Sequence, residues 1–188
     1  MHTENVLSSK KALREKLLCL AICISSAVAL PQLFHLIGAV SGTGAALGSA
    51  FLPMHIPVFA AGLMAGPAVG ILAGAISPVL SFAISGMPAA ALLPFMMIEL
   101  AGYGLFSGLL ANTKTPVFFK LLFAQICGRA ARSIALVFAV YAIHSTSVPI
   151  SSIWETIVDG LPGILLQWAL IPLLIFRLNA VFGKKGSN

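Results

Sequence analysis

The chain has very few charged residues. Asp, Glu, Lys and Arg make up 9% of its 188 residues, whereas hydrophobic residues make up 59%. Because a soluble domain carries about 25% charged residues, this composition excludes an ordinary water-soluble enzyme or binding domain. A membrane-spanning helix needs about 20 predominantly apolar residues, and the apolar runs leave room for about six such helices. The composition therefore predicts an all-α, polytopic membrane protein built as a six-helix bundle.

Several chemical signatures are absent as well. The cysteines Cys19, Cys23 and Cys127 lie inside apolar segments, and no Cys/His spacing resembles a zinc site. The chain has no Gly-rich phosphate-binding motif, so we expect no ATP hydrolysis by the chain itself. Although the net charge is +6, the basic residues flank apolar runs and form no basic face, which argues against nucleic-acid binding. We predict no cofactor, no metal and no enzymatic activity.

Short polar or Gly/Pro-rich segments divide the apolar sequence into six predicted helices. We place these helices near residues 12–36, 51–65, 68–84, 92–110, 117–143 and 156–178. Residues 1–11 are predicted to form a cytoplasmic tail, residues 12–180 the membrane domain and residues 181–188 a basic cytoplasmic tail. The Gly- and Ala-rich segment 38–50 is predicted to be a loop or broken helix outside the membrane that could cover a site.

The positions of the basic residues predict the orientation in the membrane. Nine of the 11 Lys and Arg residues lie near one side of the predicted bundle, and the loops on the opposite side contain none. The other two, Arg129 and Arg132, lie within a predicted helix. Because basic loops remain cytoplasmic, both termini are predicted to be cytoplasmic. This arrangement requires an even number of crossings, which agrees with six.

Ionisable side chains inside a membrane are costly to insert and usually mark a functional site. Five such residues fall within the predicted helices: His55, Glu99, Arg129, Arg132 and Asp159. A helical rise of about 1.5 Å per residue places all five in the outer half of the membrane.

Helical spacing places these residues on common faces with other polar residues. Steps of three or four residues connect Glu99 with Tyr103, Gln125 with Arg129 and Arg132, and Asp159 with Gly163 and Gln167. The simplest arrangement directs these faces into one pocket that is open to the exterior. We predict that this pocket binds its substrate through His55, Glu99, Tyr103, Arg129, Arg132 and Gln167.

Structural roles remain open for several of these side chains. Glu99 could pair with Arg129 only to join two helices, and His55 could be a packing residue. Asp159 lies near enough to the surface to be solvated.

A stripe of small residues marks the first predicted helix. Ala21, Ser25 and Ala29 recur at every fourth position and share one face. Such stripes allow close approach of another helix in lipid. The partner could be another helix of this chain or a second protein.

The sequence resembles the substrate-binding membrane subunits, or S-components, of energy-coupling factor (ECF) vitamin transporters. The resemblance covers nearly the whole chain and depends on several short motifs taken together. They are FLPMHIPV (51–58), AGP (65–67), SP (77–78), SGMP (85–88), ELAGYG (99–104), GR (128–129) and GLPGILLQ (160–167).

The resemblance implies six membrane helices with cytoplasmic termini in the plasma membrane of a bacterium or archaeon. It implies capture of a water-soluble vitamin or related nutrient near the outer face, under the loops joining helices 1–2, 3–4 and 5–6. The partners would be a membrane scaffold subunit and two cytoplasmic ATPase subunits. In this family an alanine stripe on helix 1 docks the partners. Ala21 and Ala29 match that stripe, whereas Ser25 replaces its central alanine.

The arginines favour a ligand with a carboxylate, because the guanidinium group binds carboxylates in a bidentate manner. Phe34, Tyr103 and Trp154 are the aromatic side chains placed to stack a ring. We therefore expect a small vitamin or precursor that carries a carboxylate or a heterocycle.

Two other functions remain open. One is a stand-alone secondary transporter coupled to ions or protons through Glu99 and His55. The other is an intramembrane enzyme that uses the same two residues as acid and base or as metal ligands.

Overall fold

The computed structural model describes residues 2–44, 46–144 and 146–182, and the side chains of 10–44, 46–144 and 146–177. Every regular element in these residues is an α-helix, so the predicted all-α fold class is confirmed there. The helices are α1 (His2–Ser41), α2 (Ala46–Phe51), α3 (His55–Ala65), α4 (Pro67–Ser85), α5 (Leu93–Leu109), α6 (Val117–Tyr141), α7 (Ser152–Asp159) and α8 (Leu161–Phe182). Residues 183–188 of the predicted basic tail lie outside the described residues.

The bounds of α4, α5 and α6 agree with the predicted helices 3, 4 and 5 to within two residues. Helix α1 is longer than predicted, because it begins at His2 instead of residue 12 and continues to Ser41. The segment 38–50, predicted to be a loop or broken helix, contains the end of α1 and most of α2.

Two predicted helices are divided in the structure. Predicted helix 2 begins within α2, and the chain leaves helical geometry at Leu52, where φ is +48°. Predicted helix 6 is broken at Gly160, so that α7 and α8 meet at a bend of 53°. Pro162 lies in the first turn of α8, where its missing N–H has no helical acceptor to lose.

The described helices support a multi-pass membrane protein. Four of them, counting α2 with α3 as one segment, are long and apolar enough to cross a bilayer, and the bent pair α7–α8 would make a fifth crossing. Helix α5 is mostly apolar, with Glu99 as its one charged residue, but has only 17 residues. A crossing by α5 as well would give the predicted six.

Glycine residues allow the backbone of α5 to approach the three helices α3, α4 and α6 closely. A Cβ atom on Gly70 of α4 would collide with the backbone of Gly104, and one on Gly62 of α3 would collide with the Ser107 hydroxyl. On the other side of α5, a Cβ atom on Gly102 would lie 2.9 Å from the Cα of Gly128 in α6. These contacts make α5 the centre of the bundle and hold its side chains against α3 and α6.

The turn between α5 and α6 is closed by a buried lysine. Lys120 is only 6% exposed. Its ammonium group donates to the carbonyl oxygens of Ala111 at 2.7 Å and Thr113 at 3.0 Å. These carbonyl oxygens belong to the turn that follows α5, so no helical N–H group is available to bind them.

Candidate functional site

A cavity of about 360 Å³ lies at the end of the bundle opposite the Lys120 turn. Its walls come from the α1–α3 connection, the α4–α5 loop, α7 and the neighbouring turns of α1, α4, α5 and α6. The volume falls within the range typical of small-molecule sites. Its ionisable lining residues are His35, His55, Glu99, Arg132, Glu155 and Asp159.

Glu99 is the centre of a buried polar cluster at this cavity. It is 3% exposed and accepts hydrogen bonds from Arg132 Nη1 at 3.1 Å and from the Tyr103 hydroxyl at 2.5 Å. The Nε atom of Arg129 lies 3.9 Å from the same carboxylate. The close contact between α5 and α6 at Gly128 brings these residues together. A buried carboxylate needs such partners, because an unpaired charge in the interior is strongly destabilising.

The two arginines have more N–H groups than are hydrogen-bonded to the Glu99 carboxylate. The Nε atoms of Arg129 and Arg132 are buried and have no hydrogen-bond partner among the described residues. Two guanidinium groups beside one carboxylate also leave a formal excess of one positive charge. Because Arg132 lines the cavity directly, this excess faces the space where a solute would bind.

His55 lies beside the cluster. It is the first residue of α3, is 3% exposed and lines the cavity. Its Nδ1 atom is 3.1 Å from the carbonyl oxygen of Leu52. Its ring lies 5.3 Å from the ring of Tyr103, which also stacks on Phe59 at 4.9 Å. These contacts fix the position of the imidazole at the cavity wall.

The structure brings five of the six predicted binding residues together, but only three of them line the cavity. His55, Glu99 and Arg132 do so. Tyr103 and Arg129 contact Glu99 from positions behind the wall.

Gln167 belongs to another polar cluster. It is 1% exposed and accepts a hydrogen bond of 2.8 Å from Gln125, which in turn accepts one of 2.8 Å from Trp168. This cluster connects α6 with α8. Gln167 is not part of the cavity lining.

The prediction that Asp159 and Gln167 share one helix face is wrong. The break at Gly160 places Asp159 at the end of α7 and Gln167 in α8, and the two helices differ in direction by 53°. Asp159 still lines the cavity, from the side formed by α7.

Other cavity residues had no signal in the membrane-helix pattern. His35, Ser152 and Glu155 line the cavity but lie near helix ends or in a segment predicted to be a loop.

The structure does not place all the aromatic residues that were predicted to stack a ring at the cavity. Trp154 is 69% exposed, and Phe34 lines a separate apolar groove.

Within the described part of the chain, no group of three or more His, Cys, Asp or Glu residues could hold a metal ion.

The predicted docking stripe is accessible. Ala21, Ser25 and Ala29 are all exposed on α1. Cys23 and Ala27, on another face of the same helix, are 7% and 0% exposed and pack within the bundle. Packing inside this chain therefore does not occupy the stripe.

The chain matches a known protein family. The family described as "ECF transporter, substrate-specific component" matches residues 15–178. No curated protein and no solved structure matches the chain. The matched segment includes every residue that lines the cavity. The chain belongs to the family of ECF transporter substrate-specific components.

Proposed function

We propose that the chain captures a small vitamin-like nutrient in the 360 Å³ cavity and presents it for import by partner subunits. The observation that carries this proposal is the buried Arg132, which lines the cavity, is paired with Glu99 and has an Nε atom without a partner. An anionic group of the nutrient, such as a carboxylate, would accept hydrogen bonds from this guanidinium group.

The other predicted residues have supporting roles in this proposal. His55 and Glu99 contact the nutrient from the cavity wall, while Tyr103 and Arg129 hold the Glu99 carboxylate in position. We propose no direct contact for Gln167, because it is not part of the cavity lining and its amide oxygen accepts a hydrogen bond from Gln125. Six crossings with cytoplasmic termini would open the cavity to the exterior of a bacterial or archaeal cell.

Energy for import would come from a membrane scaffold subunit and two cytoplasmic ATPase subunits, as family membership implies. The exposed stripe Ala21, Ser25 and Ala29 is the surface that we propose for docking them. The stand-alone secondary transporter is not favoured by the family match.

The test is the affinity of purified protein for the nutrient that co-purifies with it, identified by mass spectrometry. Arg132→Gln should raise the dissociation constant about 10- to 100-fold, because hydrogen bonds to a charged group contribute about 1.5–3 kcal/mol. Arg177→Gln, at an exposed arginine outside this cavity, is the matched control. Equal affinities for the wild type and Arg132→Gln, with both proteins folded, would contradict the proposal.

A further inference from the structure

The polar residues of helix α7 line the cavity. Four polar residues of α7 are spaced by three, one and three positions, which places them on one helix face: Ser152, Glu155, Thr156 and Asp159. All four line the cavity. On other faces of α7, Trp154 is 69% exposed and Val158 is 46% exposed.

The acidic residues of the chain are concentrated at this site. Three of the five Asp and Glu residues, Glu99, Glu155 and Asp159, line this cavity. Glu99 is paired with arginine. Glu155 and Asp159 form no ion pair within 4.0 Å with any side chain that the structure describes. Since like charges one helical turn apart repel each other, this pair would be stabilised by a positive charge.

Two unpaired polar groups point to a ligand independently of this charge pattern. Ser152 is 8% exposed, and its hydroxyl has no hydrogen-bond partner among the described residues. Arg132 is 9% exposed, with its Nε atom unpartnered in the same way. Both residues line the cavity. Because buried polar groups are nearly always hydrogen-bonded, such groups in a cavity wall indicate that a solute or water completes the site.

The cavity thus has two regions of opposite formal charge. The inner region is lined by Glu99 and Arg132. Arg129 lies behind this part of the wall beside Glu99, so the three side chains together carry an excess of one positive charge. The outer region contains the exposed carboxylates of Glu155 and Asp159.

We propose that Glu155 and Asp159 form a subsite for a cationic nitrogen of the nutrient. The nutrient is then a dipolar molecule, with an anionic group at Arg132 and a protonated amine or a cationic ring nitrogen at α7. The inference rests on the proposed function and adds the charge distribution of its substrate.

The experiment begins with the full-length protein purified from cells and the small molecule that it retains, identified by mass spectrometry. The dissociation constant of that identified molecule is measured for the wild type, for Glu155→Gln/Asp159→Asn and for Glu15→Gln. Glu15 is exposed on α1, outside the cavity. We expect a molecule with both charges, about tenfold weaker binding in the double variant and unchanged binding in Glu15→Gln.

Ionic strength gives a second measurement. Because the α7 carboxylates are exposed, salt should screen their attraction for a cation. Raising the salt concentration should weaken binding more in the wild type than in Glu155→Gln/Asp159→Asn.

The outcomes separate this inference from the proposed function. A retained nutrient without a cationic nitrogen, or one bound equally by wild type and double variant, would overturn the α7 subsite. The proposed function would then still stand if Arg132→Gln weakened binding. A protein that retains and binds no small molecule would overturn both.

Discussion

At the scale of single residues, the site depends on how one buried carboxylate is shared. Glu99 accepts from Tyr103 through one oxygen and from Arg132 through the other. The Tyr103 ring also packs between Phe59 and His55. Tyr103 therefore connects the packed aromatic core to the charged cavity wall, and it can fix the orientation of Glu99 without contacting a solute itself.

Replacing Tyr103 by Phe should destabilise the protein and weaken nutrient binding. The ring packing would remain, but Glu99 would lose a hydrogen bond of a kind that contributes about 1.5–3 kcal/mol. Thermal unfolding in detergent should occur at lower temperature, and nutrient affinity should fall several-fold. Tyr141→Phe is the matched control, because Tyr141 is 69% exposed. Identical melting temperatures for the two variants would show that the Tyr103 hydroxyl contributes nothing to the cluster.

At the scale of helices, the position of the cluster depends on glycine. Gly70 and Gly104 bring the backbones of α4 and α5 into direct contact. Gly128 has no side chain and so leaves room for the Tyr103 ring beside α6. Larger residues at these positions would separate the helices and move Glu99 relative to Arg132. The affinity of the site is therefore coupled to close helix packing on its inner side.

Gly70→Val tests this coupling. The new side chain would collide with the backbone of Gly104, which cannot move as a flexible side chain can. Overpacking of this kind costs about 1–3 kcal/mol, so the unfolding temperature should fall and nutrient binding should weaken. Ala68→Val lies two residues away at an exposed position on α4 and should change neither quantity. Wild-type stability in Gly70→Val would indicate that α4 and α5 are less closely packed than the structure shows.

The sequence was informative where one apolar run forms one helix. Gly66-Pro67 and Gly86 bound α4 closely, and Pro116 directly precedes α6. Hydropathy failed at Leu52 and Gly160, because short breaks there interrupt apolar runs without a polar segment to mark them. Glu99 and the two arginines could be paired by depth and helical spacing. Glu155 and His35 could not be placed, because their contribution depends on how α7 and the end of α1 fold over the cavity.

At the scale of the whole molecule, the cavity is useful for uptake only if it faces the exterior. Lys114 lies in the turn between α5 and α6, at the end of the bundle opposite the cavity, and the predicted orientation would put this turn in the cytoplasm. Cysteine labelling can test this orientation. In a chain with Cys19, Cys23 and Cys127 changed to Ala, a membrane-impermeant maleimide should label Ser151→Cys on intact cells. It should label Lys114→Cys only after permeabilisation; the reverse pattern would invert the topology.

Coupling to partner subunits requires a surface that the bundle leaves uncovered, and the stripe on α1 meets that condition. Ser25→Leu would place a bulky side chain at its centre and prevent close approach of another helix. We expect the scaffold and ATPase subunits to be lost on co-purification, with nutrient binding by the isolated chain unchanged. Ala68→Leu makes a comparable change at an exposed position on α4 and should leave the complex intact.

If Ser25→Leu still assembles with the scaffold and ATPase subunits, these partners dock elsewhere on the chain. If it no longer assembles but still drives uptake, and that uptake stops when the membrane gradient is dissipated, the chain transports its nutrient as a stand-alone secondary transporter.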